Sequence, residues 1–222
     1  AHHSSAFGLE EFLESHPDFA VRPEAGGGVR LVGRLERVFT ADGLPDIADA
    51  FELELVLRPG FPKVAPRVFE TAGRIPAKYH KLDDGSLCLS SPLRITLALR
   101  TTPRLLPFFE DFVIPYLYRY AHIEKFKKDP WPDIKHSVSD LIDDYARLLG
   151  ASTHRMCLGY LGLLGMKRRI ANKKACPCGS RVRVARCRHH HRQLNALRQR
   201  FKVVPRGWFR AEHAVLVLSL IH

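Results

Sequence analysis

The sequence predicts an α+β protein in which an antiparallel sheet is laid down first and helices follow. Two observations carry this expectation. Between Val29 and Glu70, apolar residues recur at every second position between turn-forming clusters, the period of half-buried strands. Beyond Leu105 the apolar spacing lengthens to that of a helix.

In chain order, residues 6–15 place Phe7, Leu9, Phe12 and Leu13 at near-helical spacing, a short amphipathic helix. Gly26-Gly27-Gly28 marks a turn. Val29, Leu31, Gly33 and Leu35 then alternate with Arg30, Val32, Arg34 and Glu36 as a strand. After a loop with Asp42-Gly43 and Pro45-Asp46, Phe51, Leu53, Leu55 and Leu57 face one way while Glu52 and Glu54 face the other. Arg58-Pro59-Gly60-Phe61-Pro62 ends that strand, and Pro66–Glu70 is a third. Three strands joined by turns make a meander. Lys78–Pro92 reads as a loop. Leu105–Tyr120 is apolar and aromatic, and Pro107 and Pro115 break it into helical pieces. Asp129-Pro130-Trp131-Pro132 is a turn, and Ser137–Leu149 is an amphipathic helix stopped by Gly150. After it come the apolar, glycine-rich Met156–Met166, the basic linker Lys167–Lys174, a Cys/His cluster over 176–191 and a basic helix at Gln193–Arg200. The apolar run His213–His222 is too short to span a bilayer and reads as a strand or a partner-facing edge.

Composition excludes several classes. The 222 residues are 45% hydrophobic and 26% charged, values of a globular chain rather than a disordered one. Neither a membrane-spanning run nor the cationic-then-apolar layout of a signal peptide is present, so a cytoplasmic location and no membrane partner are expected. Five cysteines, three of them crowded between Cys176 and Cys187, argue for metal binding plus reactive or buried thiols rather than a disulfide framework. Charge is uneven. Residues 151–222 hold 16 Lys/Arg against Glu212 alone, whereas residues 1–150 hold 19 Lys/Arg against 22 acids. Two functional units are implied.

Cys88 is the candidate nucleophile. A thiolate attacks well and leaves well, so one cysteine can receive an acyl group and pass it to an amine. The bland alternative is a small buried hydrophobe between Leu87 and Leu89. A meander, the turn Arg58-Pro59-Gly60-Phe61-Pro62, Ala65-Pro66-Arg67-Val68, then Tyr79-His80 and Gly85-Ser86-Leu87-Cys88-Leu89, together resemble the ubiquitin-conjugating (E2, UBC-fold) family over residues 7–150. Its variant loop resembles the bacterial E2-like members. That resemblance implies a UBC-like fold with an N-terminal helix, a meander, an active-site loop and C-terminal helices. It also implies that Cys88 accepts a ubiquitin-like protein from an E1-like activating enzyme as a thioester and transfers it to an amine on a protein target. Where the family has His-Pro-Asn, this chain has His80-Lys81-Leu82, so the amide that would stabilise an oxyanion is absent. His80 and Asp84 are the candidates to position or deprotonate the amine, with Asp83 beside them. A plain turn at Asp83-Asp84-Gly85 and a structural role for His80 stand as alternatives. Ser86, Ser90 and Ser91 crowd the thiol and leave an oxyester as a less favoured intermediate.

In the tail, Cys176-Pro177-Cys178-Gly179-Ser180 followed by Cys187 resembles the SEC-C zinc motif, in which a further cysteine or histidine follows the third ligand directly. Arg188 occupies that place, so His189 is the expected fourth ligand and His190 the second choice. Cys₃His with Zn²⁺ is a common structural set. Cys157, among Leu158, Tyr160 and Leu161, reads as core. The expected division is an E2-like domain at 6–150, an apolar and basic linker at 151–174 and a zinc-binding basic domain at 175–222. Two further readings are an inactive E2-like module that binds a ubiquitin-like protein, and a zinc protein that binds nucleic acid through its basic tail. Aromatic residues for base stacking are sparse there, so any such binding is expected to be mostly electrostatic and salt-sensitive, and nucleic acid is the less favoured partner.

Overall fold

The computed structural model describes residues 7–24, 26–131 and 137–220. Ala6, Pro132 and Ile221-His222, which belong to expected elements, lie outside them. The chain divides into two compact units, residues 1–133 and 134–222. The first holds α1 (Leu9–Ser15), β1 (Phe19–Glu24), β2 (Gly28–Phe39), β3 (Ile47–Leu57), β4 (Arg67–Glu70), α2 (Pro92–Thr101), α3 (Leu105–Phe108), a π-helical turn (Phe109–Val113) and α4 (Ile114–Phe126). The second holds α5 (Val138–Leu149), α6 (His154–Leu164), α7 (Arg168–Ala171), a 3₁₀ turn (Val184–Arg186), α8 (Arg188–Arg200) and α9 (Arg206–Ser219). The protein is α+β, with the sheet first.

The sheet is a four-stranded antiparallel meander in the order β1-β2-β3-β4. Its register pairs Leu31 with Leu55 and Leu35 with Phe51, so the alternating apolar residues of β2 and β3 share one face. Leu31, Phe39, Leu53 and Leu55 are sealed there, and α1, α3 and α4 contribute Phe12, Leu105 and Leu117 to the same core. The expected meander lacked β1. That strand holds Pro23, and its side chains from Ala20 to Pro23 are exposed, so the period-two signal is missing. An edge position tolerates the proline. The expected breakage of Leu105–Tyr120 into pieces is not seen: α3, the π-helical turn and α4 run on through Phe108, Phe109, Val113 and Ile114, all in the right-handed helical region, and the irregularity is the π-helical turn just ahead of Pro115.

In the second unit, α5 starts with a reciprocal capping box between Ser137 and Asp140 and ends at Gly150 with φ 61°, a left-handed cap suited to glycine. Its buried face of Ile142, Tyr145 and Leu149 packs against α6 and α9. The helix that was expected to close the first domain therefore belongs to the second unit, because its apolar stripe fits there. Nor is 151–174 a linker. α6 buries Cys157, Tyr160 and Leu161, and its glycines admit close neighbours: a Cβ on Gly165 would lie 2.7 Å from Arg210 Cγ on α9. The expected strand at His213–His222 is also corrected. Through Ser219 the segment is the end of α9, where Phe209 and Leu216 fill one helical stripe and tertiary burial overrides the β-propensity of Val215 and Val217. Among the described residues, no helix is long and apolar enough to cross a membrane.

Candidate functional site

In the first unit, Cys88 closes a short hairpin. Lys81 and Leu87 form an antiparallel bridge, and Leu82 N–H donates to Ser86 O at 2.8 Å. Gly85, at φ 82°, makes the turn possible and donates to Leu82 O at 2.8 Å. Two main-chain bonds then fix the thiol's position. Leu87 N–H donates to Val68 O on β4 and Cys88 N–H donates to His80 O, both at 2.7 Å. The Tyr116 hydroxyl, from α4, lies 3.1 Å from His80 O and 3.2 Å from Tyr79 O. Downstream, Ser91 is the N-cap residue of α2.

The side chains divide into clear roles. Cys88 is half-buried with a free thiol, and burial pushes its pKa above the ordinary cysteine range. Asp84 organises the turn: its Oδ1 accepts from Ser86 Oγ at 2.6 Å and Ser86 N at 3.1 Å, and its Oδ2 lies 3.3 Å from Arg67 Nη1. The bonds from Ser86 hold its carboxyl below the usual range. Ser86 is buried, and its hydroxyl also accepts from Arg67 Nη1 at 3.1 Å, so it is committed to the turn rather than offered as an acyl acceptor. His80 contributes its carbonyl to the hairpin at φ 41°, and its ring packs edge-on against Tyr79 at 4.6 Å. Sequence reading missed Tyr116 and Arg67. Tyr116 lies 36 residues from His80 in an apolar run, and nothing local distinguishes it from core.

In the second unit, Cys176, Cys178, Cys187 and His190 present four ligand atoms that all lie within 4.8 Å of one another. Ala175 bridges Arg183, and Gly179 at φ 84° turns the chain so that its N–H reaches Cys176 O at 3.3 Å. The 3₁₀ turn delivers Cys187 to the N-cap of α8, and His190 follows three residues later. Three residues along a helix return to the same face. His190 Nδ1 accordingly lies 3.1 Å from Cys187 Sγ, and Cys178 Sγ lies 4.0 Å from it. A tetrahedral zinc with Zn–S bonds of about 2.3 Å has S···S edges of about 3.8 Å, so the donor set and its spacing fit that ion. His189, the expected fourth ligand, is not in this cluster: one residue earlier on the helix, it lines a groove with Arg188 and Arg192. Hydrogen bonding to the Ser180 side chain and N–H draws the Cys178 thiol down to about 7, whereas burial raises Cys176. Cys157 is sealed and its thiol is pushed up to about 12 by burial, a core residue as expected.

No protein-family model matches this chain, and no curated protein matches its sequence.

Proposed function

We propose that the first unit is a UBC-like carrier of the bacterial E2 type, which accepts a ubiquitin-like protein from an E1-like enzyme as a thioester on Cys88 and passes it to an amine on a protein target. The observation that carries this reading is the Cys88 hairpin. A half-exposed thiol stands beyond the last strand of a four-stranded meander, with the N–H groups of Leu87 and Cys88 anchored to Val68 and His80. Exchange at such a thiol is balanced: Cys88 Sγ attacks the incoming thioester carbonyl and expels the donor thiol, and a target amine later expels Cys88 Sγ. The acyl group arrives already activated, so few acids or bases need stand nearby. Tyr116 and the His80 carbonyl hold the loop, and Asp84 holds its turn.

The second unit, in this proposal, binds structural zinc through Cys176, Cys178, Cys187 and His190. Four protein ligands close the coordination shell and leave no position for catalysis. One observation favours a second reading of the first unit. Burial that raises the Cys88 thiol disfavours the thiolate and suits a module that binds a ubiquitin-like protein without being acylated.

Incubation with the cognate E1-like enzyme, ATP and ubiquitin-like protein decides between them. The carrier forms an adduct that thiols cleave and that Cys88→Ala abolishes, and Cys88→Ser gives a thiol-resistant adduct cleaved by hydroxylamine. A bound but unmodified complex selects the binding module.

A further inference from the structure

Beyond the conjugation reading, the second unit has a distinctive electrostatic state. In the first unit, Arg30, Arg34, Arg37, Arg67, Arg74, Arg104 and Arg119 each pair with a carboxylate. Among the described residues, none of the 16 Lys/Arg of 151–222 does so, although all but Arg198 are exposed. Those that bond within the fold use neutral oxygens: Arg200 reaches Leu148 O and Arg210 reaches Gly165 O. Surface cations without internal counter-charges gather an anion atmosphere, and a polyanion that displaces it gains the entropy of ion release.

This charge has a receiving surface. Arg188 and Arg192, one turn apart on α8, line a groove of about 790 Å³ with His189, Gln193, Ala196 and Gly150. No acid lines it. Twelve of the 16 cations are arginines, whose forked guanidinium matches two phosphate oxygens. Among its described lining residues there is also no tryptophan or tyrosine, two of the residue types on which protein interfaces concentrate their affinity. Phe201 and Phe209, nearby in sequence, are buried in the unit's own core and cannot stack on bases.

We infer that the second unit binds nucleic acid through its phosphate backbone, without reading bases, along the Arg188–Arg192 groove of α8. The binding is electrostatic, and it requires neither the Cys88 thiol nor its acylation.

The zinc-loaded 222-residue chain is titrated with a fluorescent mixed-sequence single-stranded RNA and with a duplex DNA, at salt from about 50 to about 200 mM. Retention of either probe at low salt is expected, with log affinity falling linearly against log salt. The double variant Arg188→Ala with Arg192→Ala removes two phosphate contacts, flattens the slope for the single strand by about 1.4 and weakens binding at least tenfold. Arg188→Lys with Arg192→Lys retains most of the affinity. Cys88→Ala binds like the unmodified chain, which separates failure here from failure of the conjugation reading. Metal content and helical circular dichroism accompany each variant, and should the double variant lose either, Arg192→Ala alone supplies the comparison. No retention at about 50 mM salt overturns the inference, as does an unchanged slope in the folded alanine variants. Polyglutamate that competes as well as the nucleic acids also overturns it, and reassigns the surface to an acidic protein.

Discussion

Pro177, inside the first Cys-x-Cys turn, lies against Gly159 of α6 so closely that a Cβ on the glycine would stand 2.3 Å from Pro177 Cβ. The turn that carries Cys176 and Cys178 is therefore seated on bare helix backbone. Gly159→Ala must push Cys176 and Cys178 away from α6, with an expected loss of about 1–3 kcal/mol, the range for overpacking. Thermal unfolding and zinc affinity should both fall. At Gly162 the added methyl would meet the ring of His213 at 3.3 Å, a milder contact, so Gly162→Ala should cost less.

Zinc retention distinguishes the two candidate histidines. His190→Ala removes a ligand and should lower metal affinity by orders of magnitude, with the tail becoming chelator-sensitive. His189→Ala should leave zinc stoichiometry at one and affinity unchanged. Ser180→Ala provides a pH-resolved check. It removes the hydrogen bond chiefly responsible for drawing the Cys178 thiol to about 7, so that pKa should rise toward the ordinary value of about 8.5. Protons then compete more strongly for the ligand, and zinc affinity should fall most at and below neutral pH. Competition with a chromophoric chelator across pH measures this.

Alkylation reports the state of Cys88. Since the thiolate reacts and burial raises this thiol, iodoacetamide labelling at neutral pH should be slower than for a small free thiol, and should still be climbing beyond pH of about 8.5. Tyr116→Phe deletes the hydroxyl that bonds the Tyr79 and His80 carbonyls, at a cost of about 0.5–1.5 kcal/mol. The loosened hairpin should label faster. Mass spectrometry of the modified peptide gives both rates.

Glu212, the lone acid of residues 151–222, is half-buried and bonded by the Tyr145 hydroxyl at 2.5 Å. Burial raises its pKa above the unfolded value, and the tyrosine only partly offsets this. A carboxyl with a raised folded pKa binds its proton more tightly when folded. The resulting stability is fully present below the unfolded value of about 4.3 and is lost as pH rises through the folded pKa. Glu212→Gln should therefore raise the thermal midpoint of the second unit at neutral pH and leave it nearly unchanged near pH 4. Calorimetry at the two pH values tests the sign.

Much of the fold was legible because two periodicities are local properties. The alternations at Val29–Leu35 and Phe51–Leu57 specify β2 and β3, and the stripe from Val138 to Leu149 with its Ser137 cap and Gly150 stop specifies α5. The three clustered cysteines were legible for a similar reason, since their close spacing can be read along the chain. Local sequence did not reveal where α5 packs, because an apolar stripe shows that a helix must bury a face but not which partner receives it.

Sequence by itself determined the strands with alternating faces, the glycine stops, the cysteine framework and the separation of charge between the chain's two parts. Tertiary structure decided the rest. It recruited β1 as an edge that tolerates Pro23, made the His213–Ser219 segment helical by burying Leu216, and chose His190 over His189 because three residues of helix, not two, return a side chain to the face of Cys187. It also set Tyr116 beneath the His80 carbonyl, a contact between residues 36 positions apart. Short-range preferences are written residue by residue, whereas these choices depend on which distant surfaces fit when the chain closes.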